Sequence, residues 1–382
     1  MSSVLDRARA LAPDIIAARG EMDAARRLPD HLALKFREAG LYRLCIPEAY
    51  DGLEAPPRTT VETLEALAEA DASAAWCAMI SATTGSFGAY LDDDVAGGIF
   101  SSPELVFSGV YAPMGKAEVE GDSYRVSGRW KWNSGGQNAT WLCGGAMIFE
   151  NGAPRMLTEK LPEHRMMLFP ASEVEFVDTW HTSGLRGSGS GDMMVKGLLV
   201  PRNRTVSLIT DKPRIAAPLY KFPAFGLLAI GIAAVASGNA RAALREFAAE
   251  AAGKKLPGGR TLAERGTVQA TFAQAAASLE AARAFLLAEV DAAWGEAQTT
   301  PAISLDQRAR LRLAATHMTR TAAEVVRTVQ DLAGGGAVFL ASTLQRRLAD
   351  AQTMTAHIMI APATYELTGR ALLGVPVSSA EL

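Results

Sequence analysis

Apolar residues recur every three or four positions from the start of the chain to about residue 110, as in "VLDRARALAPDIIAARGEMDAARRLPDHLALKFREAGLYRL". That period belongs to helices that bury one face. Prolines and Gly40 punctuate the run, and Thr59 and Thr60 are N-cap candidates ahead of a second helical stretch, "VETLEALAEADASAAWCAMISATTGSFGAYL". From about 111 to 212 the period falls to two. In "AEVEGDSYRVSGRWKWNSG" an acidic-glycine turn precedes alternating Tyr, Val and Trp, which predicts a hairpin. "VEFVDTW" and "MMVKGLLVP" read as further strands, the last closed by Pro201. Beyond 213 the helical period returns in four long, alanine-rich segments, which predict a close-packed four-helix bundle.

The pattern therefore predicts an α+β chain, mostly α, in three parts: a helical domain at 1–110, a central β-barrel-like domain at 111–212 and a C-terminal four-helix bundle at 213–382. A length of 382 residues leaves room for this. One segment raises the question of a membrane. "FPAFGLLAIGIAAVASGNA", 222–240, is nearly uncharged, but its alanines and glycines suit a helix buried among others better than a span. The N-terminal segment carries acids throughout and has no apolar signal core, so a cytoplasmic protein is expected.

Charge narrows the partners. A net charge of −3 with 21% charged residues implies no broad basic face for nucleic acid. Cys45, Cys77 and Cys143 have neither metal spacing nor an even count, and read as buried reduced thiols. The five histidines lie far apart and HExxH, CxxC, GxSxG and GK[ST] are all missing, so a metal site has little support.

One stretch stands out: "HTSGLRGSGSGD", 181–192, holds four glycines and three serines between two strands. Such a cluster marks either a bulged turn or a close backbone approach to a ligand. It opens no helix of a βαβ unit, so a Rossmann phosphate loop is excluded on context.

Over essentially its full length the chain resembles the acyl-CoA dehydrogenase superfamily. The resemblance rests on "SGRWKWNSGGQNATW", "DTWHTSGLRGSGSGDMMVKGLLVP" and "QDLAGGGAVF", in that order. It implies that Trp132, Asn133, Ser134 and Gly135 lie against a flavin ring. It also implies that Arg186, Gly187, Ser188 and Ser190 bring backbone and hydroxyl donors to the flavin and its phosphate. Gly334 and Gly335 would meet a neighbouring subunit's cofactor in a homotetramer. For each glycine, service to the hairpin alone is the other reading.

The dehydrogenases of this superfamily carry a glutamate followed by Gly-Thr near the C-terminus. Here the segment reads "LADAQTMTAHIMIAPATYELTGRALLG", with His357 at or beside that place and Glu366 more than two turns on. A histidine there resembles the two-component flavin-dependent monooxygenases, of the hydroxyphenylacetate, steroid-phenol and indole oxygenase kinds. The implied activity is hydroxylation of a small aromatic, indole-like or amine substrate by O2 and reduced FMN or FAD, through a C4a-hydroperoxide. A separate NAD(P)H:flavin reductase would supply the flavin.

In that reading His357 exchanges a proton with an apparent pKa near the ordinary histidine value. Ser134 stabilises the oxygenated flavin with an uncharged hydroxyl. Trp76, Thr84 and Asn138 contact substrate. Core histidine and turn serine are the plain alternatives, and Trp132 and Trp180 either wall the flavin or fill the barrel. Two departures bear on the substrate. Thr84 stands where phenol hydroxylases carry a second histidine, and Ala349-Asp350 replaces an Arg-Asp pair. An FAD-dependent acyl-CoA dehydrogenase using Glu366 is the other activity the resemblance allows.

Overall fold

The structure, a computed structural model, describes residues 2–378 and Leu382. Seven helices come first: α1 Val4–Ala10, α2 Ala12–Ala17, α3 Arg19–Ala25, α4 Asp30–Glu38, α5 Pro57–Ala70, α6 Ala72–Thr84 and α7 Asp93–Phe100. α6 is central. Its sequence, ASAAWCAMISATT, is small or apolar on every side, and all 13 residues are buried. A helix with no polar face has to be enclosed, and α5, the long helix α8 (Ala224–Gly253) and the first strand enclose it. Asp71 starts it by accepting from the Ala74 amide at 3.1 Å, a cap that satisfies one orphan N–H.

The strands are β1 Phe107–Glu120, β2 Ser123–Trp130, β3 Trp141–Glu150, β4 Ala153–Pro154, β5 Met156–Thr158, β6 Leu161–Pro162, β7 His164–Pro170, β8 Glu175–Val177, β9 Asp192–Pro201 and β10 Thr205–Val206. The predicted hairpin is β1–β2, with Glu120 opposite Ser123. The main sheet runs β10-β7-β3-β1-β2-β9-β8, with β1 parallel to β3 and the other neighbours antiparallel. It is open, which corrects the expected barrel. The end strands β10 and β8 hold only 2 and 3 residues and do not pair with each other. Trp130 fills the sheet core and donates its indole N–H to the Gly145 carbonyl at 2.7 Å.

α9 (Gly266–Thr299) and α10 (Leu305–Ala333) follow α8, and these three are long and continuous. The predicted fourth long helix is broken. α11 ends at Thr355, His357 turns extended (φ −70°, ψ 134°), and α12 (Ala363–Leu372) starts only after Pro362. An extended residue cannot continue the i to i−4 ladder, and Pro362 supplies no N–H to restart it earlier. α8 is long and apolar enough to cross a membrane, but 89% of its most apolar 18-residue window is buried inside the protein. One apolar core runs through both helical regions, joining Ile15, Leu64 and Met79 to Ile232, Leu286, Met318 and Met354.

Candidate functional site

α6 points one line of side chains at the sheet and at the break after α11. Trp76, Ile80 and Thr84 recur at i, i+4 and i+8, so they share a face. The Trp76 indole N–H donates to Ser134 Oγ at 3.0 Å. Its ring meets His357 edge-on, with centroids 5.8 Å apart. Ser134 Oγ lies 2.6 Å from Ser190 Oγ, which lies 2.6 Å from Ser188 Oγ. All three serines are buried. The Ser134 carbonyl accepts from Ser108 Oγ at 2.6 Å, so the residue is held at both ends. Five groups from four separate stretches of the sequence thus form one line, Ser188–Ser190–Ser134–Trp76–His357.

The two turns that carry the serines are joined through backbone. Gly135 N–H donates to the Ser188 carbonyl (2.8 Å) and Asn133 N–H to that of Gly191 (3.0 Å). The glycine-rich loop is pinned from beneath. Asp350 on α11 accepts from the Leu185 amide at 2.6 Å, and Trp180 donates to the Leu185 carbonyl at 2.9 Å. This explains the glycines. A Cβ on Gly184 would lie 2.0 Å from the Ala349 carbonyl oxygen, and one on Gly187 would lie 2.9 Å from Met22 Cβ. At these two positions the missing side chain lets the loop seat against α11 and α3, and the space faces protein. The Arg186 side chain is exposed and donates to the Thr182 and Asp23 carbonyls.

His357 departs from its expected titration. Burial, with the nearby Arg312 guanidinium adding to it, pushes its pKa down to about 4. Its Nδ1 accepts from the Met359 amide at 3.2 Å, so the neutral ring carries its proton on Nε2. At neutral pH it is a hydrogen-bond donor through Nε2, not a half-protonated acid–base group. Arg312, on α10, is the residue sequence reasoning missed. It is 3% exposed and donates once, from Nη2 to the Met359 carbonyl at 3.1 Å. A signal was available, because Arg312, Thr316 and Thr319 form a buried helical line in an otherwise apolar core. Asp350 was noted only as a departure from a pattern, and its role as the anchor of the glycine loop was not foreseen.

The remaining predicted residues divide. Thr84 donates back to the Ile80 carbonyl at 2.6 Å and lies beside the buried Tyr111. Trp132 does not fill the sheet core: it is 59% exposed with φ +65°, a conformation that costs a non-glycine residue about 1–2 kcal/mol. Asn133 is buried with its Nδ2 donor unpartnered. Asn138 is drawn away from the line, donating to Asp30 at 2.9 Å. Gly334 and Gly335 lie at the far end of α10, 22 positions beyond Arg312 or about 33 Å at 1.5 Å per residue. They are exposed, and Gly334 has φ +70°. Glu366 is exposed on the first turn of α12. Cys45 and Cys77 are buried thiols whose pKa burial raises to about 12, and Cys143 is raised further.

A flavin fits these residues. The exposed Trp132 ring, the unused Asn133 donor and the Ser134 hydroxyl are consecutive, giving one aromatic face and two polar groups for a planar heterocycle.

The chain is similar to known proteins over almost its whole length. The family pattern described as "Acyl-CoA dehydrogenase, N-terminal domain" matches residues 2–92, and "Acyl-CoA dehydrogenase, C-terminal domain" matches 230–362. The chain is 32% identical to indole-3-acetate monooxygenase of Pseudomonas putida over 359 residues, 94% of this chain and 90% of that protein. It is 27% identical to HsaA, the oxygenase subunit of a flavin-dependent monooxygenase of Mycobacterium tuberculosis, across 98% and 96% of the two chains. A crystal structure of HsaA superposes with a TM-score of 0.90, covering 100% and 99%. XiaF from Streptomyces sp., crystallised with FADH2 and glycerol, shares the fold at 22% identity, with a TM-score of 0.91 over 98% and 95%.

Proposed function

The chain belongs to the acyl-CoA dehydrogenase family and, within it, is a flavin-dependent monooxygenase, and on that premise we propose that the Ser134–Trp76–His357 line is its oxygenation site. The observation that carries this is the direct Trp76–Ser134 hydrogen bond beside the Trp76–His357 ring contact. Reduced FMN or FAD, when bound, supplies the two electrons with which O2 places one oxygen on the substrate and loses the other as water. Trp132, Asn133, Ser134 and Gly135 would hold the flavin, with Arg186, Gly187, Ser188 and Ser190 along the adjoining loop. The Ser134 hydroxyl presents an uncharged donor whose orientation is fixed by Trp76 and Ser190. His357, neutral at working pH, offers Nε2–H to a polar atom of the substrate. Trp76 and Thr84 wall the substrate, a small aromatic, indole-like or amine compound. Asn138 contributes by tying its turn to Asp30.

The name of the HsaA subunit implies a partner, and a separate NAD(P)H:flavin reductase would deliver the reduced flavin. A homotetramer, a dimer of dimers, suits Gly334 and Gly335. They are too far along α10 to serve this subunit's own site, and the apolar Val338, Phe339 and Leu340 beside them are exposed, Leu340 at 97%. A C-terminal four-helix bundle of α8, α9, α10 and the broken α11–α12 segment is the finer architecture we propose. Three buried free thiols suit a reducing cytoplasm.

The test is turnover with reductase, NADH and an indole. Wild-type protein is expected to release hydroxylated product. Ser134→Ala is expected to release more hydrogen peroxide per product, losing on the order of 10² in coupled rate, as for removal of one donor to a developing charge. Unchanged coupling would remove Ser134 from this role. Glu366, exposed on the first turn of α12, makes a dehydrogenase base unsupported. Reduction of a bound oxidised flavin by an acyl-CoA, without oxygen or reductase, would reinstate that activity.

A further inference from the structure

Two arginines lie almost wholly inside the helical core, and they differ in one respect. Arg347, on α11, is 1% exposed and uses all three nitrogens: toward Glu246, toward the Ala68 and Glu69 carbonyls, and toward Asn239. Arg312 is 3% exposed and makes one hydrogen bond, to the Met359 carbonyl. Among the described residues its Nε and Nη1 have no partner and no carboxylate pairs with it. A guanidinium carries five N–H donors and keeps its charge, and burying it with most of them unused is costly.

The unused donors stand beside the proposed oxygenation site. Arg312 is close enough to His357 to disfavour a second positive charge there, and it is fastened to Met359, two residues on. His357 in turn meets Trp76. Moving along the line, the groups are neutral hydroxyls at Ser188, Ser190 and Ser134, then an indole wall, then a neutral imidazole, then an uncompensated cation. An aromatic ring against Trp76 with an anionic arm toward Arg312 would match that order of chemistry.

We propose that Arg312 is the anion subsite of the substrate pocket and takes the carboxylate of an aromatic carboxylic acid. The proposal rests on the oxygenation site argued above and extends it from an aromatic substrate to an aromatic acid. Carboxylate fits the group better than a neutral oxygen. A planar anion can accept two parallel N–H bonds from a guanidinium, and it neutralises the buried charge as it does so. Arg312 would thereby select the substrate and orient its ring without touching the reacting atoms.

The test is binding, read by calorimetry under anaerobic conditions with reduced FMN present. The probes are indole-3-acetic acid, its primary amide and 3-methylindole, which share a ring and differ in the arm. Wild-type protein is expected to bind the acid at least tenfold more tightly than the amide, and R312Q to lose that preference while R312K keeps part of it. Equal affinity of wild-type protein for acid and amide overturns the proposal, as does an R312Q protein that still prefers the acid. The wild-type comparison needs no variant, so it decides even where R312Q fails to fold. Product analysis with reductase and NADH separates the two levels. Oxygenation of 3-methylindole with no preference for the acid removes the anion subsite and leaves the monooxygenase standing. Oxygenation of none of the three probes removes both.

Discussion

The two ends of α11 treat buried charge in opposite ways. Within its first eight residues, Arg346 pairs with Asp71 and Asp23, Arg347 with Glu246 and two carbonyls, and Asp350 holds the Leu185 amide. Just past its C-terminal end, Arg312 has one carbonyl and His357 one backbone amide. The first group pairs its charges with one another and fixes the glycine-rich loop, leaving one oxygen each of Asp23 and Asp350 without a hydrogen-bond partner among the described residues. The second is complete only with something added. Buried polar groups are ordinarily paired, so the place where pairing stops is where the fold leaves capacity for a ligand.

Replacing the two arginines in the same way is the strongest test of that contrast. Arg347→Met strands Glu246 and two backbone carbonyls, and is expected to cost about 3–5 kcal/mol, the usual loss on breaking a buried pair. Arg312→Met removes a buried charge that has one carbonyl partner and no counter-charge among the described residues, and is expected to leave stability unchanged or raise it by about 1 kcal/mol. Denaturant unfolding of both variants checks this, and equal destabilisation would erase the distinction between the two ends.

A smaller effect concerns His357. Its folded pKa, about 4, lies below the ordinary value near 6.5. Between those values the unfolded chain binds the proton and the folded chain does not. Its contribution to stability is therefore present above about pH 6.5 and is lost as pH falls toward 4. The oxygenation rate is expected to show no histidine limb between pH 6 and 8. His357→Asn, which cannot place a donor where Nε2 stands, is expected to lower the rate on the order of 10² and to flatten the acid limb of stability. A wild-type rate that titrates near pH 6.5 would mean that the ring is far better solvated than its surroundings imply.

The subtlest effect belongs to the first group. Burial, with Asp71 nearby, raises the Asp350 pKa to about 7. A carboxyl raised in the folded state favours folding while protonated, so stability falls as pH rises from about 4 to about 7. Asp350→Asn keeps an oxygen for the Leu185 amide and cannot ionise. Its stability is expected to lose this downward slope, and melting curves at pH 5 and pH 8 for both proteins measure the difference.

Much of the architecture was legible in the residue pattern. The shift from a period near 3.6 to a period of 2 and back located both helical regions and the sheet between them. The uncharged 222–240 segment read as buried because nothing on it asks for water. Ser134, Trp76 and His357 could be named from local motifs and resemblance. The break at His357 was harder, since Pro362 was visible but the helical period continued across it. Barrel closure was also beyond a local pattern, because it depends on the lengths and pairing of end strands.

The sequence by itself determined which segments are helix or strand, because side-chain periodicity and turn chemistry act over a few residues. It also singled out the glycine-rich loop as either a bulged turn or a place of close backbone approach. Only the tertiary structure decided what that loop approaches, placing Gly184 against Ala349 and Gly187 against Met22. It likewise decided the charge state of His357 and left Arg312 a single carbonyl partner and no counter-charge among the described residues. Those are properties of surroundings drawn from α6, α10 and the turn after α11, where desolvation and the lack of a counter-charge have no trace in local sequence.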